Sequence, residues 1–196
     1  MPHAFEENVK KRVQRNRKAL NRGGIRNRVS IHKRSLTVED RQEFGHREGD
    51  LIIGKEQQSS MGTLVERSCR FTLIVPLKAR NSQTVVDAFI EVLKKSPPHL
   101  RKSMTYDQGT EMAEHERLTE KVGIQVYFAD PGQPQQRGTN KNTNGLIREY
   151  FPKKTNLRKY SDKEISRVEN ILNQRPKAVL SYATPKEIFT LAEKYP

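Results

Sequence analysis

GDLIIGKEQQSSMGTLVERSCRFTLIVPLK, residues 49–78, decides the fold. It holds three short runs rich in β-branched residues: GDLIIG (49–54), GTLVERS (62–68) and RFTLIVPLK (70–78). Each is bounded by turn formers, so they read as consecutive strands, and their tight connections make them antiparallel. SQTVVDAFIEVLKKSPP (82–98) then sets Val85, Ala88, Phe89, Val92 and Leu93 at helical spacing, with Ser82 as a cap and Pro97 as a stop. SMTYDQG (103–109) is a fourth strand, EHERLTEKVG (114–123) a helix closed by Gly123, and IQVYFADP (124–131) a fifth strand. Strands joined through helices run parallel. The fold class expected is α/β, a mixed five-stranded sheet flanked by helices. A Pro- and Gln-rich loop (131–138) leads into a helix through NTNGLIREYFPK. A last amphipathic helix, 162–175, turns Ile165, Val168, Ile171 and Leu172 to one side, and ATPKEIF closes the chain.

The chain has 196 residues, a net charge of +14 and only 33% hydrophobic residues. That surplus points to an anionic partner, nucleic acid first. Residues 1–35 carry eleven Lys or Arg against Glu6 and Glu7. This stretch reads as a basic arm, unstructured alone and ordered on a phosphate backbone, or else as a solvated linker. The expected organisation is a poorly ordered arm over 1–40, a core over 41–190 and a tail over 191–196. No apolar run approaches the ~18 residues that span a bilayer, and no apolar signal region opens the chain. The expectation is a cytoplasmic, nucleoid-associated protein without a membrane partner. Cys69 is the only cysteine, which excludes an internal disulfide and a cysteine-cluster zinc site.

Two carboxylates stand where strands usually lack them. Asp50 lies ahead of the apolar Leu51, Ile52 and Ile53, and Asp107 ends the strand SMTYD. If the first and fourth strands are neighbours, both acids meet at one sheet edge, where ligands gather in open α/β sheets. Two such acids repel unless a cation sits between them, and Mg²⁺ suits hard oxygen ligands. The plainer reading makes Asp50 a bridged or exposed acid and Asp107 a turn former.

FGHREGDLIIG, TYDQGTEMAEHERLTEKVGIQVYFADP, QRGTNKNTNGLIREYFPKKTNL and LNQRPKAVLSYATPKEIF resemble the catalytic region of insertion-sequence-30-type transposases over about residues 40–190. The resemblance implies a ribonuclease-H-like fold, an Asp, Asp, Glu triad, and two Mg²⁺ or Mn²⁺ ions. It further implies cutting and joining of DNA strands at mobile-element ends, with DNA and a second copy of the chain as partners. Asp50 and Asp107 match the two aspartates and are the expected metal ligands. Position 141, 34 residues after Asp107, carries Lys141 where the resembled motif has glutamate. A lysine there repels a metal ion by roughly 4 kcal/mol per unit charge at about 4 Å and an effective dielectric of 20. One ion or none is then expected to bind well, and activity to be weak or absent. Of the other acids, Glu149 lies eight residues past position 141, about 12 Å along a helix, and Asp130, before Pro131, reads as a turn residue; neither is expected to replace the missing ligand.

Further departures are Arg47, where the resembled family has Trp, and the loop GQPQ (132–135), where the family has His-Ser-Pro-Trp and this chain has Gly132, Gln133 and Gln135 around the shared proline. They weaken the expected pre-organisation of the site. The resemblance implies a phosphate-contacting basic residue at Arg148, two helical turns after Lys141. Asn140, Asn142 and Asn144 stand at the start of the same helix, where they cap it or bond DNA. His46 reads as structural, and at least one of Tyr127 and Phe128 as core. Lys153, Lys154, Arg158 and Lys159 form a basic run that suits a phosphate backbone or a solvated face. The resemblance also implies a helix-turn-helix region that reads element ends, a pattern residues 1–40 lack; a fragment is expected. The competing functional reading is a non-catalytic DNA-binding regulator derived from a transposase, and a generic RNA-binding protein is a third.

Overall fold

The computed structural model describes residues 25–195. Three strands open the core: β1 (His46–Ile53), β2 (Ser60–Glu66) and β3 (Thr72–Leu77). Helix α1 (Ser82–Leu93) leads to β4 (Ser103–Tyr106), and α2 (His115–Val122) to β5 (Gln125–Phe128). Helices α3 (Gly138–Tyr150), α4 (Asp162–Gln174) and α5 (Pro185–Lys194) follow. The sheet order is β3-β2-β1-β4-β5. β1, β2 and β3 pair antiparallel, whereas β4 pairs parallel to both β1 and β5. This is the mixed five-stranded sheet that the strand and helix order predicts.

Alternation along the strands builds two cores. Leu51, Leu64, Val75, Met104 and Val126 face α1 and α2, which bury Val85, Phe89, Leu93 and Leu118 against them. Ile52, Met61 and Ile74 face α3 and α4, meeting Ile147, Phe151, Ile165, Val168 and Leu172. Asp50 and Glu48 share the Ile52 side, so the sheet turns both acids toward α3. Ile171, expected inward, is 37% exposed. Phe128 is the core member of its aromatic pair, at 1% exposure.

β3 is an edge strand and tolerates Pro76 on its exposed side. Helix α4 covers that edge: Ile74 N–H donates to Glu169 Oε2 at 2.7 Å, and Thr72 N–H to Asn173 Oδ1 at 2.8 Å. Gly123 closes α2 at φ 76°, a left-handed position that favours glycine.

Several boundaries differ from expectation. β1 begins at His46, since Arg47 and Glu48 are charged yet only 1% and 0% exposed. Asn81, not Ser82, caps α1, accepting from Thr84 N–H; Ser82 Oγ instead accepts from Glu114 N–H. Residues 191–194, read as tail, are the last turn of α5. The arm over 1–40 falls partly outside the described residues. Its described part packs on the core: Phe128 N–H donates to Val29 O at 2.8 Å, and Arg34 is 7% exposed. The order there comes from strand pairing and ion pairs, which a reading based on charge alone does not register.

Candidate active site at the ends of β1 and β4

The parallel β1–β4 register pairs Glu48 with Thr105. Two residues further along both strands, it sets Asp50 level with Asp107. A guanidinium joins them. Arg137 Nη2 lies 3.1 Å from Asp107 Oδ2, and Nη1 lies 3.3 Å from Asp50 Oδ1 while donating to Gly49 O at 3.0 Å. Arg137 ends the short 3₁₀ turn Pro134–Arg137 that feeds α3. Two acids that would repel are therefore bridged by the chain's own cation.

The remaining lone pairs are also engaged. Asp50 Oδ2 accepts from Asn144 Nδ2 at 3.0 Å, and Asp50 Oδ1 from Leu51 N–H at 2.9 Å. Asp107 Oδ1 accepts from Gly109 N–H at 2.9 Å. Burial holds the Asp50 carboxyl above the usual carboxylate range, against the pull of Arg137 and the Leu51 N–H. Glu111 lies alongside: a Cβ on Gly109 would sit 2.4 Å from its carboxylate oxygens. Burial first, and then the charge of Asp107, push the Glu111 carboxyl up, against a backbone hydrogen bond. Gly49 permits this close layout, because a Cβ there would lie 2.7 Å from the Tyr106 ring.

On α3, Lys141, Asn144 and Arg148 recur at spacings of three and four, one face of a helix, and Arg137 stands just ahead of its first residue. Asn144 bonds Asp50 and Arg148 bonds the carbonyl of Ile53, so the helix face that carries Lys141, one turn before Asn144, is the one beside the end of β1. The Lys141 side chain is exposed and, among the described residues, enters no ion pair. Arg148 donates to Ile53 O at 2.8 Å and to Phe151 O at 3.4 Å, tying α3 to the end of β1. Burial lowers its pKa. Asn142 is exposed.

Asn140 corrects the expectation of a DNA contact. It is 0% exposed. Its backbone N–H donates to Glu48 Oε2 at 2.8 Å, and its amide Nδ2 donates to Glu48 O at 2.9 Å and Thr63 O at 3.3 Å. Those bonds leave no edge for a base or a phosphate. Glu48 is the anchor: a wholly buried carboxylate that receives a free first-turn amide of α3 and pairs with Arg67 at 3.0 Å. Arg47 points to the opposite face, where it is bonded to Leu100 O and donates to Ser96 Oγ at 3.2 Å. It does not touch the acids. His46 is held by Ser103 Oγ at 2.7 Å and Glu43 Oε2 at 2.8 Å, a structural role.

Neither spare acid joins the site. Glu149 is exposed beyond it on α3, and Asp130 is tied to His32 and Gln136 in its own loop. Among the described residues, no three His, Cys, Asp or Glu side chains stand close enough to share a metal ion. The donor set does not fit two ions: Asp50 and Asp107 are bridged by a guanidinium, and Glu111 alongside does not complete a three-ligand group with them. Sequence reasoning missed Arg137 and Glu48. The signal for Arg137 was its place at the entry of the helix that carries Lys141.

Residues 40–134 match the Integrase core domain family. The chain is 48% identical over 164 residues to transposase InsI for insertion sequence element IS30A of Escherichia coli (strain K12), a match covering 84% of this chain and 43% of that protein. It is 44% identical over 178 residues to the transposase for insertion sequence element IS1086 of Cupriavidus metallidurans, covering 91% of this chain and 52% of that protein. The chain thus spans about half the length of the relatives it matches. Among solved structures, the catalytic core domain of BIV integrase superposes with a TM-score of 0.60 at 16% identity, covering 78% of this chain and 99% of that chain. A chain of the simian T-cell lymphotropic virus intasome, in complex with PP2A regulatory subunit B56 gamma, gives 0.60 at 18% identity, covering 86% and 60%. These likenesses show the ribonuclease-H-like fold.

Proposed function

Because the chain carries an integrase core domain and belongs, over that domain, with the insertion-sequence-30 transposases, we propose that it is a DNA-binding transposase core whose cutting and joining of strands is strongly impaired. The observation that carries this reading is Lys141. It lies on α3 one turn before Asn144, which bonds Asp50, and its sequence position is the one where the resemblance expects the third acid. We place its action on DNA at mobile-element ends, as a homo-oligomer in the cytoplasm. Divalent ions serve such cores in general; here the donor set accommodates one ion at most, between Asp50 and Asp107. The contacts support these roles for the chain's own residues. Arg137 neutralises the acid pair, Asn144 orients Asp50, and Glu48 fixes the start of α3.

A second reading, a non-catalytic regulator that occupies element ends, is favoured by the Arg137 bridge, which satisfies both acids without an ion. Strand cleavage of an end-containing duplex with Mn²⁺, comparing the chain with Lys141→Glu at matched DNA occupancy, separates the two. Cleavage restored by Lys141→Glu supports an impaired enzyme. DNA binding without cleavage by either protein supports the regulator, and absence of DNA binding sinks both.

A further inference from the structure

A cavity of about 370 Å³, distinct from the acid pair, is walled by Arg34, Glu39, Arg41, Arg67, Gln135 and Gln136. The two glutamines immediately precede Arg137, so one loop serves both places. Arg34 and Arg67 are 7% and 3% exposed. Both reach Glu39: Arg67 Nη2 lies 3.0 Å from Oε2, and Arg34 Nη2 bonds Oε1. Glu39 itself is solvent-facing, with a side chain 55% exposed. One oxygen to each of two buried guanidiniums is the way a phosphate bridges arginines.

The pocket is over-supplied with positive charge. The second arms of the guanidiniums go to Thr105 Oγ1 at 2.6 Å and to Glu48 Oε1 at 3.0 Å, while both Nε atoms are buried without a partner. Arg34, Arg41 and Arg67 face Glu39 and Glu48, with His32 on the rim. Burial, and then the charge of Arg67, push the Arg34 pKa down to about 10. An added anion would relieve that crowding.

We propose that this cavity is a phosphate-binding subsite, in which a backbone phosphate of DNA displaces Glu39 from Arg34 and Arg67. The anion chemistry stands on the arginines alone; naming DNA as the phosphate's owner rests on the reading in the preceding subsection. Glu48, which receives Arg67, lies two residues before Asp50 on β1, about 7 Å along the strand. A strand gripped here passes next to the acid pair.

The test uses the full chain and two variants. Arg41→Gly removes a rim charge at a residue whose φ of 55° suits glycine, so the fold is spared. Glu39→Gln removes the internal anion and keeps an acceptor. Duplex binding is measured against salt, and the side-chain amides of Gln135 and Gln136 are followed by NMR during titration with inorganic phosphate. Glu39→Gln is expected to bind duplex about fivefold tighter, the size of one charge removed about 4 Å away in high dielectric. Arg41→Gly is expected to bind several-fold more weakly, with the salt slope reduced by about one. Inorganic phosphate should shift both amides saturably. If duplex binds but neither variant changes its affinity or slope, the subsite is overturned and the DNA reading survives. If duplex does not bind, phosphate-induced amide shifts enlarged by Glu39→Gln keep the subsite, for a small phosphate ligand, and sink the DNA reading. Absence of both duplex binding and amide shifts overturns the proposal.

Discussion

Arg137 holds Nη2 3.1 Å from Asp107 Oδ2, and the other arm of the same guanidinium reaches Asp50. A divalent ion entering between the acids must displace or repel that charge. Arg137→Gln is therefore expected to tighten Mn²⁺ binding about tenfold, near 1.4 kcal/mol, a discounted share of the Coulomb repulsion at this distance. Electron paramagnetic resonance of free Mn²⁺ during titration reads the change. An unchanged or weaker affinity would show that Arg137 does not compete for the pair.

Asn140 tests the docking of α3. Asn140→Ala removes both donors of a fully buried amide and leaves the carbonyls of Glu48 and Thr63 without them. A loss of about 2–3 kcal/mol in unfolding free energy is expected from such unsatisfied groups, read by urea denaturation.

Gly49 tests the close approach beside Asp50. A Cβ there would meet the Tyr106 ring at 2.7 Å, within a side chain that is fully buried. Gly49→Ala is expected to cost about 1–3 kcal/mol by overpacking, with the acid pair shifted. The same denaturation series measures the cost.

Glu169 gives a pH signature. Burial raises its carboxyl pKa above the usual glutamate range, opposed by the Ile74 N–H it accepts. A raised folded-state pKa favours the protonated form, so this contribution to stability is full below the ordinary glutamate pKa and is lost as pH rises through the folded value. Glu169→Gln should raise the thermal midpoint relative to wild type at pH 7.5 and give no such gain at pH 4. Equal differences at both pH values would refute the assignment.

The sheet and its two cores were legible because period-two runs and helical spacing are local signals, carried by residues such as Leu51, Leu64, Phe89 and Val168. The meeting of Asp50 and Asp107 was legible only on the condition that the first and fourth strands are neighbours, which the sheet order supplies. The start of β1 was not legible, since Arg47 and Glu48 look solvent-bound until Ser96, Leu100, Arg67 and Asn140 are brought to them by the fold. Arg137 hid for a different reason: in a chain this basic, one more arginine carries no contrast. Asn140 misled because asparagine at a helix start usually caps it or faces outward, and only tertiary packing sets it beneath the sheet.

The backbone ladder between β1 and β4 fixes the spacing of the two aspartates, while a separate helix carries Lys141, the position we propose for the third ligand. Chemistry and architecture can thus mutate apart. Glutamate and lysine codons differ by a single nucleotide, so an element could fall silent, or regain its voice, through one point mutation that leaves the scaffold standing.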